Sequence, residues 1–125
     1  MGLDRKQILE ADDRYCEPLD VPEWGGTVHV GVITSEEADK LEADIEQAKT
    51  NGAMPNVRAR MASMTLCDKE GKRMFTPGDI DALGRKCSRA IGRVFDKALE
   101  INRMNEEQVE ALVGNSEATD DSDSG

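Results

Sequence analysis

The residues with the most versatile chemistry in this chain of 125 residues are one histidine and three cysteines. A catalytic triad or a general-base site needs a histidine held between a nucleophile and an orienting carboxylate. His29 instead alternates with apolar valines, which predicts that its side chain lies on the exposed face of a strand. This pattern disfavours a catalytic role for His29.

The cysteines are Cys16, Cys67 and Cys87, an odd number at wide spacings. They indicate no disulfide framework and fit a reducing cytosol. No Cys-x-x-Cys pair is present, and one histidine cannot complete a standard zinc spacing. Cys87 falls on the apolar stripe of a predicted helix, which predicts a buried structural thiol.

Two further segments have a superficial likeness to ligand-binding loops. Residues 68–71 (DKEG) resemble the start of a calcium loop, but they lack its alternating oxygen ligands and closing glutamate, so a plain turn is favoured. Gly25 and Gly26 are followed by neither a dinucleotide-binding motif nor a phosphate-binding lysine, so they predict a hairpin turn. The sequence therefore predicts no metal, no cofactor and no enzymatic activity.

Charge narrows the class of partner. The chain has 26 acidic against 16 basic residues and a formal net charge of -10, so nucleic-acid phosphates and anionic membranes would repel it. Basic protein surfaces and apolar helices that need solubilising fit better, although the acidity can also serve solubility alone. The first residues do not resemble a signal peptide, and no window approaches the roughly 20 apolar residues of a membrane span. We expect a cytosolic protein.

The helix caps, turns and apolar spacing along the sequence predict an α+β domain. In it, an N-terminal β-hairpin packs against four to six helices, and these elements must position the side chains discussed above. Asp4 with Gln7 indicates a capping box at a short first helix. Leu19 to Val21 and residues 27–33 are typical of two strands, with the turn at 22–26 between them. Thr34 begins a strongly acidic helix that ends near Asn51 and is followed by a mobile loop to Pro55.

The second half of the chain is predicted to be helical. Val57, Met61 and Met64 share helical spacing, and Leu66 with Cys67 ends that segment. Thr76, Pro77 and Asp79 begin another helix, residues 86–101 carry the strongest apolar periodicity, and Asn105 with Gln108 begins a last one. Residues 1–114 therefore form one predicted domain, and residues 115–125 a disordered acidic tail.

Contact with a partner is assigned to apolar helix faces. The candidate partner-binding residues are Leu41, Ile45, Met61 and Met64. Trp24 at the hairpin tip is interpreted as a lid over the core, with a partner anchor as the alternative.

The opening block 5–13 (RKQILEADD), followed by 21–28 (VPEWGGTV), resembles the tail assembly chaperones of long-tailed bacteriophages and prophages. Residues 75–76 and 80–84, Arg93 to Phe95 and residues 114–117 extend this resemblance over most of the chain. It is weakest over residues 36–60, and the block VPEWGG is its most specific part.

The resemblance implies a non-enzymatic protein without a cofactor that works in the cytoplasm of the bacterial host and is absent from the mature virion. It implies binding to the helical tape measure protein, which is kept soluble while the tail tube assembles. A longer frameshifted form would recruit the major tail tube protein, and homo-oligomers are compatible with the family. The alternative is an acidic regulatory or inhibitory module that mimics nucleic acid.

Overall fold

The computed structural model of the chain describes residues 2–51 and 55–113, with no side-chain placement for Asn51 and Val113. The loop predicted between Asn51 and Pro55 and the predicted tail at 115–125 lie outside the described residues. Within them the chain has the predicted α+β architecture. The helices are α1 Arg5–Glu10, α2 Ser35–Asn51, α3 Val57–Thr65, α4 Ile80–Gly84, α5 Ser88–Ile101 and α6 Glu106–Val113, and the strands are β1 Cys16–Val21, β2 Gly26–Gly31 and β3 Leu66–Cys67.

Three of these helices begin with the reciprocal side-chain bonds of a capping box, as their sequences predicted. In each, the capping residue accepts a hydrogen bond from the backbone N–H three residues on, whose side chain accepts one in return. The pairs are Asp4 with Gln7, Thr34 with Glu37 and Asn105 with Gln108, at distances of 2.8–3.1 Å. Local sequence alone therefore determines where these helices start.

The sheet is antiparallel in the order β1-β2-β3. β1 and β2 form the predicted hairpin, with Cys16 opposite Gly31 and Val21 opposite Gly26. Their connection is a 3-10 turn, Pro22–Trp24, that ends on Gly25 with φ 72°, a conformation glycine adopts without steric cost. The hairpin prediction is confirmed.

The third strand corrects the prediction that Leu66 and Cys67 only end a helical segment. Leu66 turns into extended backbone at the end of α3 and pairs with Val30, while Cys67 pairs with His29. Helical spacing of apolar residues cannot reveal this change, because the pairing strand lies more than 35 residues earlier in the chain.

The core forms where α5 packs on the hairpin and α3 packs on α5. The apolar stripe of α5 supplies Ala90, Ile91, Val94, Phe95 and Ala98, all buried. Met61 of α3, 1% exposed, and the fully buried Val30 of β2 complete the centre. Each large apolar side chain buried there contributes about 1.5–3 kcal/mol.

Cys87 lies outside that core. It is exposed, and α5 begins one residue later at Ser88, so the prediction of a buried structural thiol is wrong. Periodicity placed Cys87 four residues before Ile91 on a continuing helix. The backbone at Cys87 is instead extended, with φ -53° and ψ 131°, which turns its side chain away from the stripe.

Candidate partner-binding groove

An open groove of about 800 Å³ lies between α2 and the segment that runs from Asn102 into α6. Its floor is apolar and its rim is polar and mainly acidic. The floor includes Ile33, Ala38, Leu41, Ile45, Met104 and Ala111. The rim includes Asp39, Glu42, Glu46, Lys49, Glu107 and Gln108.

The four predicted contact residues separate into two pairs. Leu41 and Ile45 line the groove, with their side chains 4% and 7% exposed, so they form its base and not a free apolar face. Met61 is 1% exposed in the core, which corrects its assignment to a contact surface. Met64 is half-buried against the same core and does not line the groove.

The rim gives the groove a negative charge. Four carboxylates lie there against one lysine, and that lysine, Lys49, is bound to Glu46 at 3.1 Å. Exposed carboxylates around an apolar floor attract basic side chains and repel acidic ones. The arrangement is suited to an apolar surface flanked by lysine or arginine.

Asn102 fixes one end of the groove. Its Oδ1 accepts a hydrogen bond from the backbone N–H of Ile33 at 2.9 Å, and its Nδ2 donates to the carbonyls of Ala98 at 2.9 Å and Gly31 at 3.4 Å. This single amide joins the end of α5 to the junction between β2 and α2. The wall formed by α2 is thereby held at its first turn.

A second contact holds the start of α2. Arg73 donates two hydrogen bonds to the Glu37 carboxylate, at 2.7 and 3.1 Å, and both side chains are 31% exposed. These bonds are the main reason that the pKa of Glu37 lies below its usual value. Glu37 therefore caps the helix and anchors it to the segment after β3.

Beyond this anchored end, few side chains of the two walls are buried, and a partly buried ion pair between Asp44 and Arg60 holds α2 to α3. Leu41 and Ile45 are the buried residues among the described side chains of α2, and Leu112 is the one in α6. The Asp44–Arg60 pair therefore anchors the middle of α2, whereas α6 has one buried side chain among those described.

Trp24 lies at a second, smaller cavity of about 310 Å³ on another part of the surface. We call this cavity the Trp pocket. Its lining includes Trp24, Leu66, Met74, Phe75, Leu83 and Lys86. Trp24 is 36% exposed and Met74 57% exposed, so the tryptophan forms part of the wall of an open pocket and does not close a lid over the core.

Cys16 and Cys67 lie close together, near enough for the Cys16 thiol to add to the rise in the pKa of Cys67, whereas Cys87 lies apart from them, exposed before the start of α5. Cys67 is buried, and burial is the main cause that raises its pKa to about 11, which keeps it a neutral thiol. Its Sγ lies 3.6 Å from the carbonyl oxygen of His29, and His29 itself is half-buried, not on an exposed face as predicted. Within residues 2–51 and 55–113 no cluster of three histidine, cysteine or carboxylate side chains could hold a metal ion.

Sequence reasoning missed half of the groove. Asn102 and Met104 come from the segment after α5, and Ala111 comes from α6. All three lie about 60 residues or more from Leu41 along the chain. The acidic face of α2 and its short apolar stripe were visible as a signal. No local pattern indicates which other helix lies beside that stripe.

Comparison of the chain with protein-family models, with curated proteins and with solved structures finds no match. Among the helices the structure describes, none is both long and apolar enough to cross a membrane.

Proposed function

We propose that this chain is a non-enzymatic tail assembly chaperone of a long-tailed bacteriophage or prophage, which holds helical segments of the tape measure protein in the groove between α2 and α6. The observation that carries the proposal is the groove itself, with its apolar floor and acidic rim. The likeness of residues 5–13 and 21–28 to that family supports the choice of client.

An amphipathic helix laid in an apolar groove is a recurrent mode of recognition. The floor offers short side chains, Ala38 and Ala111, between larger ones, Leu41 and Met104. A floor that alternates small and large side chains can accept the apolar residues that a client helix presents three and four positions apart along its sequence. Burying each large apolar anchor contributes about 1.5–3 kcal/mol, so a few anchors are enough to keep a helical client from aggregating.

The acidic rim selects the sequence around those anchors. Lysine and arginine beside the apolar stripe of the client would meet Asp39, Glu42 and Glu107. The high negative charge of the whole chain, -10, keeps the resulting complex soluble. In this proposal the protein works in the host cytoplasm, leaves before the virion matures and, in a longer frameshifted form, recruits the major tail tube protein.

The test is co-expression with the tape measure protein of the same phage or prophage. The groove is blocked by Ala38→Trp, because Ala38 is exposed on α2 and lines the floor. The matched control is Gln47→Trp, an exposed position on the same helix outside the groove lining. We expect wild type and Gln47→Trp to raise the soluble fraction of the tape measure protein and to co-purify with it, and Ala38→Trp to do neither.

A wild-type protein that neither solubilises nor co-purifies with the tape measure protein would overturn the proposed client. An Ala38→Trp variant that performs like the wild type would overturn the groove as the binding site. Circular dichroism spectra of both variants establish that the helices remain formed.

The exposed acidic face of α2 favours one second candidate, an inhibitory module that mimics nucleic acid on a basic enzyme. Ion pairs between exposed charges are screened over about 10 Å at 0.1 M salt, so such binding weakens steeply as salt is added. Binding of an amphipathic helix in the groove loses only the ion pairs at the acidic rim as salt is added, and it keeps the contribution of its apolar anchors. A salt titration of the purified complex therefore separates the two candidates.

A further inference from the structure

Two cysteine side chains from the outer strands of the sheet meet over a glycine of the middle strand. Cys16 of β1 is the ladder partner of Gly31, and Cys67 of β3 is the partner of His29, two residues earlier on β2. Ladder partners, and residues two apart on one strand, point to the same face of a sheet. Cys16 and Cys67 therefore lie on one face, with no side chain at Gly31 to separate them.

The two thiols occupy the space above Gly31. A Cβ atom added at Gly31 would lie 3.1 Å from Sγ of Cys67 and 3.7 Å from Cβ of Cys16. Burial is the main cause of the raised pKa of Cys67, and a hydrogen bond with the Cys16 thiol adds to it. Each sulfur atom also donates to a backbone carbonyl oxygen at 3.6 Å, which is a long contact. Two soft donor atoms thus face each other, held by weak contacts.

The sheet opposes a disulfide between these two thiols. β2 lies between β1 and β3, and neighbouring strands are about 4.8 Å apart, so the Cα atoms of Cys16 and Cys67 are about 9–10 Å apart. A disulfide requires Cα atoms that are less than about 7 Å apart. The sulfur atoms come close only because both side chains extend over Gly31. An S–S bond would therefore have to draw the outer strands together across β2.

A bridging ion fits this arrangement without moving the strands. Metal–thiolate bonds are about 2.3 Å long, so an ion bound between two sulfur atoms holds them up to about 4.6 Å apart. Thiolates are soft ligands that select Cu(I), zinc or iron–sulfur clusters. Zinc sites and iron–sulfur clusters need four ligands, and among residues 2–51 and 55–113 no third histidine, cysteine or carboxylate completes a metal-binding group with this pair. Cu(I) is the ion in this class that accepts two ligands.

We propose that Cys16 and Cys67 form a two-coordinate site for Cu(I), which joins β1 to β3 across β2. Binding forms two Cu–S bonds and releases one proton from each thiol to the solvent. The copper keeps its oxidation state, and the bis-thiolate centre carries one negative charge. Neither cysteine lines the α2–α6 groove, so the site is independent of the proposed client site.

The surroundings of the pair give an ion access to it. Cys67 lines an open cavity of about 200 Å³, and Cys16 is half-buried. Besides burial, which raises the pKa of Cys67, two charged side chains act on its thiol in opposite directions: Arg73 lowers the pKa and Asp68 raises it. Because these charges oppose each other, the affinity of the site has to come from the Cu–S bonds.

The test is an anaerobic titration of the chain with Cu(I), in competition with bicinchoninate, a chelator whose Cu(I) complex is coloured. The exposed Cys87 is a further thiol that binds copper, so the titration is run on wild type and on Cys87→Ala. We expect the Cys87→Ala chain to take one Cu(I) from the chelator. Native mass spectrometry should show one copper atom on one chain, and X-ray absorption should show two sulfur ligands.

Three variants made in the Cys87→Ala chain test the ligands and the geometry. Cys16→Ala and Cys67→Ala each remove one ligand and should lower the affinity for Cu(I) about a hundredfold or more. Gly31→Ala keeps both thiols but adds a methyl group 3.1 Å from Sγ of Cys67, so it should also weaken binding. Its matched control is Gly26→Ala, because a Cβ atom at this other glycine of β2 has nothing within 4 Å. Circular dichroism verifies the fold of each variant, and the half-buried position of Cys16 makes Cys16→Ala the safer of the two ligand variants.

Three results would overturn the proposal. The first is a Cys87→Ala chain that takes no Cu(I) from the chelator. The second is an unchanged affinity in a folded Cys16→Ala or Gly31→Ala variant, since the ion would then be bound elsewhere. The third is one Cu(I) for every two chains, which would place the ion between copies.

Oxidised glutathione tests the strand spacing separately. The metal-free Cys87→Ala chain should form no bond between Cys16 and Cys67 when it is treated with this small disulfide. A chain that loses two hydrogen atoms from its mass and yields a Cys16–Cys67 cross-linked peptide would identify a redox pair, and the reason for a bridging ion would be gone.

Discussion

Replacing Asn102 by alanine should destabilise the fold far more than its half-buried position suggests. The substitution removes the hydrogen bond that the Ile33 N–H donates to Oδ1 at 2.9 Å, and that part-buried N–H loses its side-chain partner. Leaving such a group unsatisfied costs about 1–3 kcal/mol.

The other two bonds of this amide contribute less. The Ala98 carbonyl keeps the hydrogen bond it accepts from the backbone N–H of residue 102, and the 3.4 Å contact with Gly31 is weak. We therefore expect a total loss of about 2 kcal/mol. For a domain of this size that lowers the melting temperature by about 10 °C.

The assay is urea unfolding followed by far-ultraviolet circular dichroism, with amide hydrogen exchange as a local readout. The urea midpoint should fall with an unchanged slope, and exchange at the Ile33 N–H should rise about thirtyfold. The matched control is Asn105→Ala, which removes an exposed capping amide at α6 and costs about 1 kcal/mol. A cost for Asn102→Ala no larger than that of this control, or unchanged exchange at Ile33, would show that the Asn102 amide does not hold this junction.

Three further predictions concern burial and titration. Met61→Ala should cost about 2–5 kcal/mol in urea unfolding, whereas Met74→Ala at an exposed position should stay within about 0.5 kcal/mol. Because the pKa of Glu37 is lower in the folded chain, its stabilisation is present above the unfolded pKa of about 4.3 and is lost as the pH falls through the folded value. The stability difference between wild type and Glu37→Gln should therefore shrink from about pH 7 to about pH 3; a constant difference would contradict this. Iodoacetamide at pH 8 should label the exposed Cys87 long before Cys67, whose buried thiol has a pKa of about 11, as mass spectrometry of timed samples will show.

The fold was predictable where its determinants are local. The capping pair Thr34 and Glu37 is three residues apart, and the hairpin turn at 22–26 is contiguous, so both are encoded in short stretches of sequence. The apolar stripe of α5 was equally visible, because its spacing repeats over four turns. These signals do not depend on the rest of the chain.

The candidate sites depended on distant parts of the chain. Leu41 and Ile45 were identified from their spacing on α2, but whether they face solvent, a groove or the core depends on where α6 packs. Met61 had the same periodic signal and lies at the centre of the core. Periodicity identifies the apolar face of a helix and does not identify what covers it.

The sequence by itself thus determined the acidic charge, the helix starts, the hairpin and the apolar stripe of α5, because each follows from composition or from residues within one or two turns of each other. Tertiary packing decided the rest. It made Leu66 and Cys67 a third strand, placed Met104 and Leu41 in the lining of one groove, and formed the pocket beside Trp24. The physical reason is that burial and strand pairing are properties of pairs of segments far apart in sequence, and a local pattern contains one member of each pair.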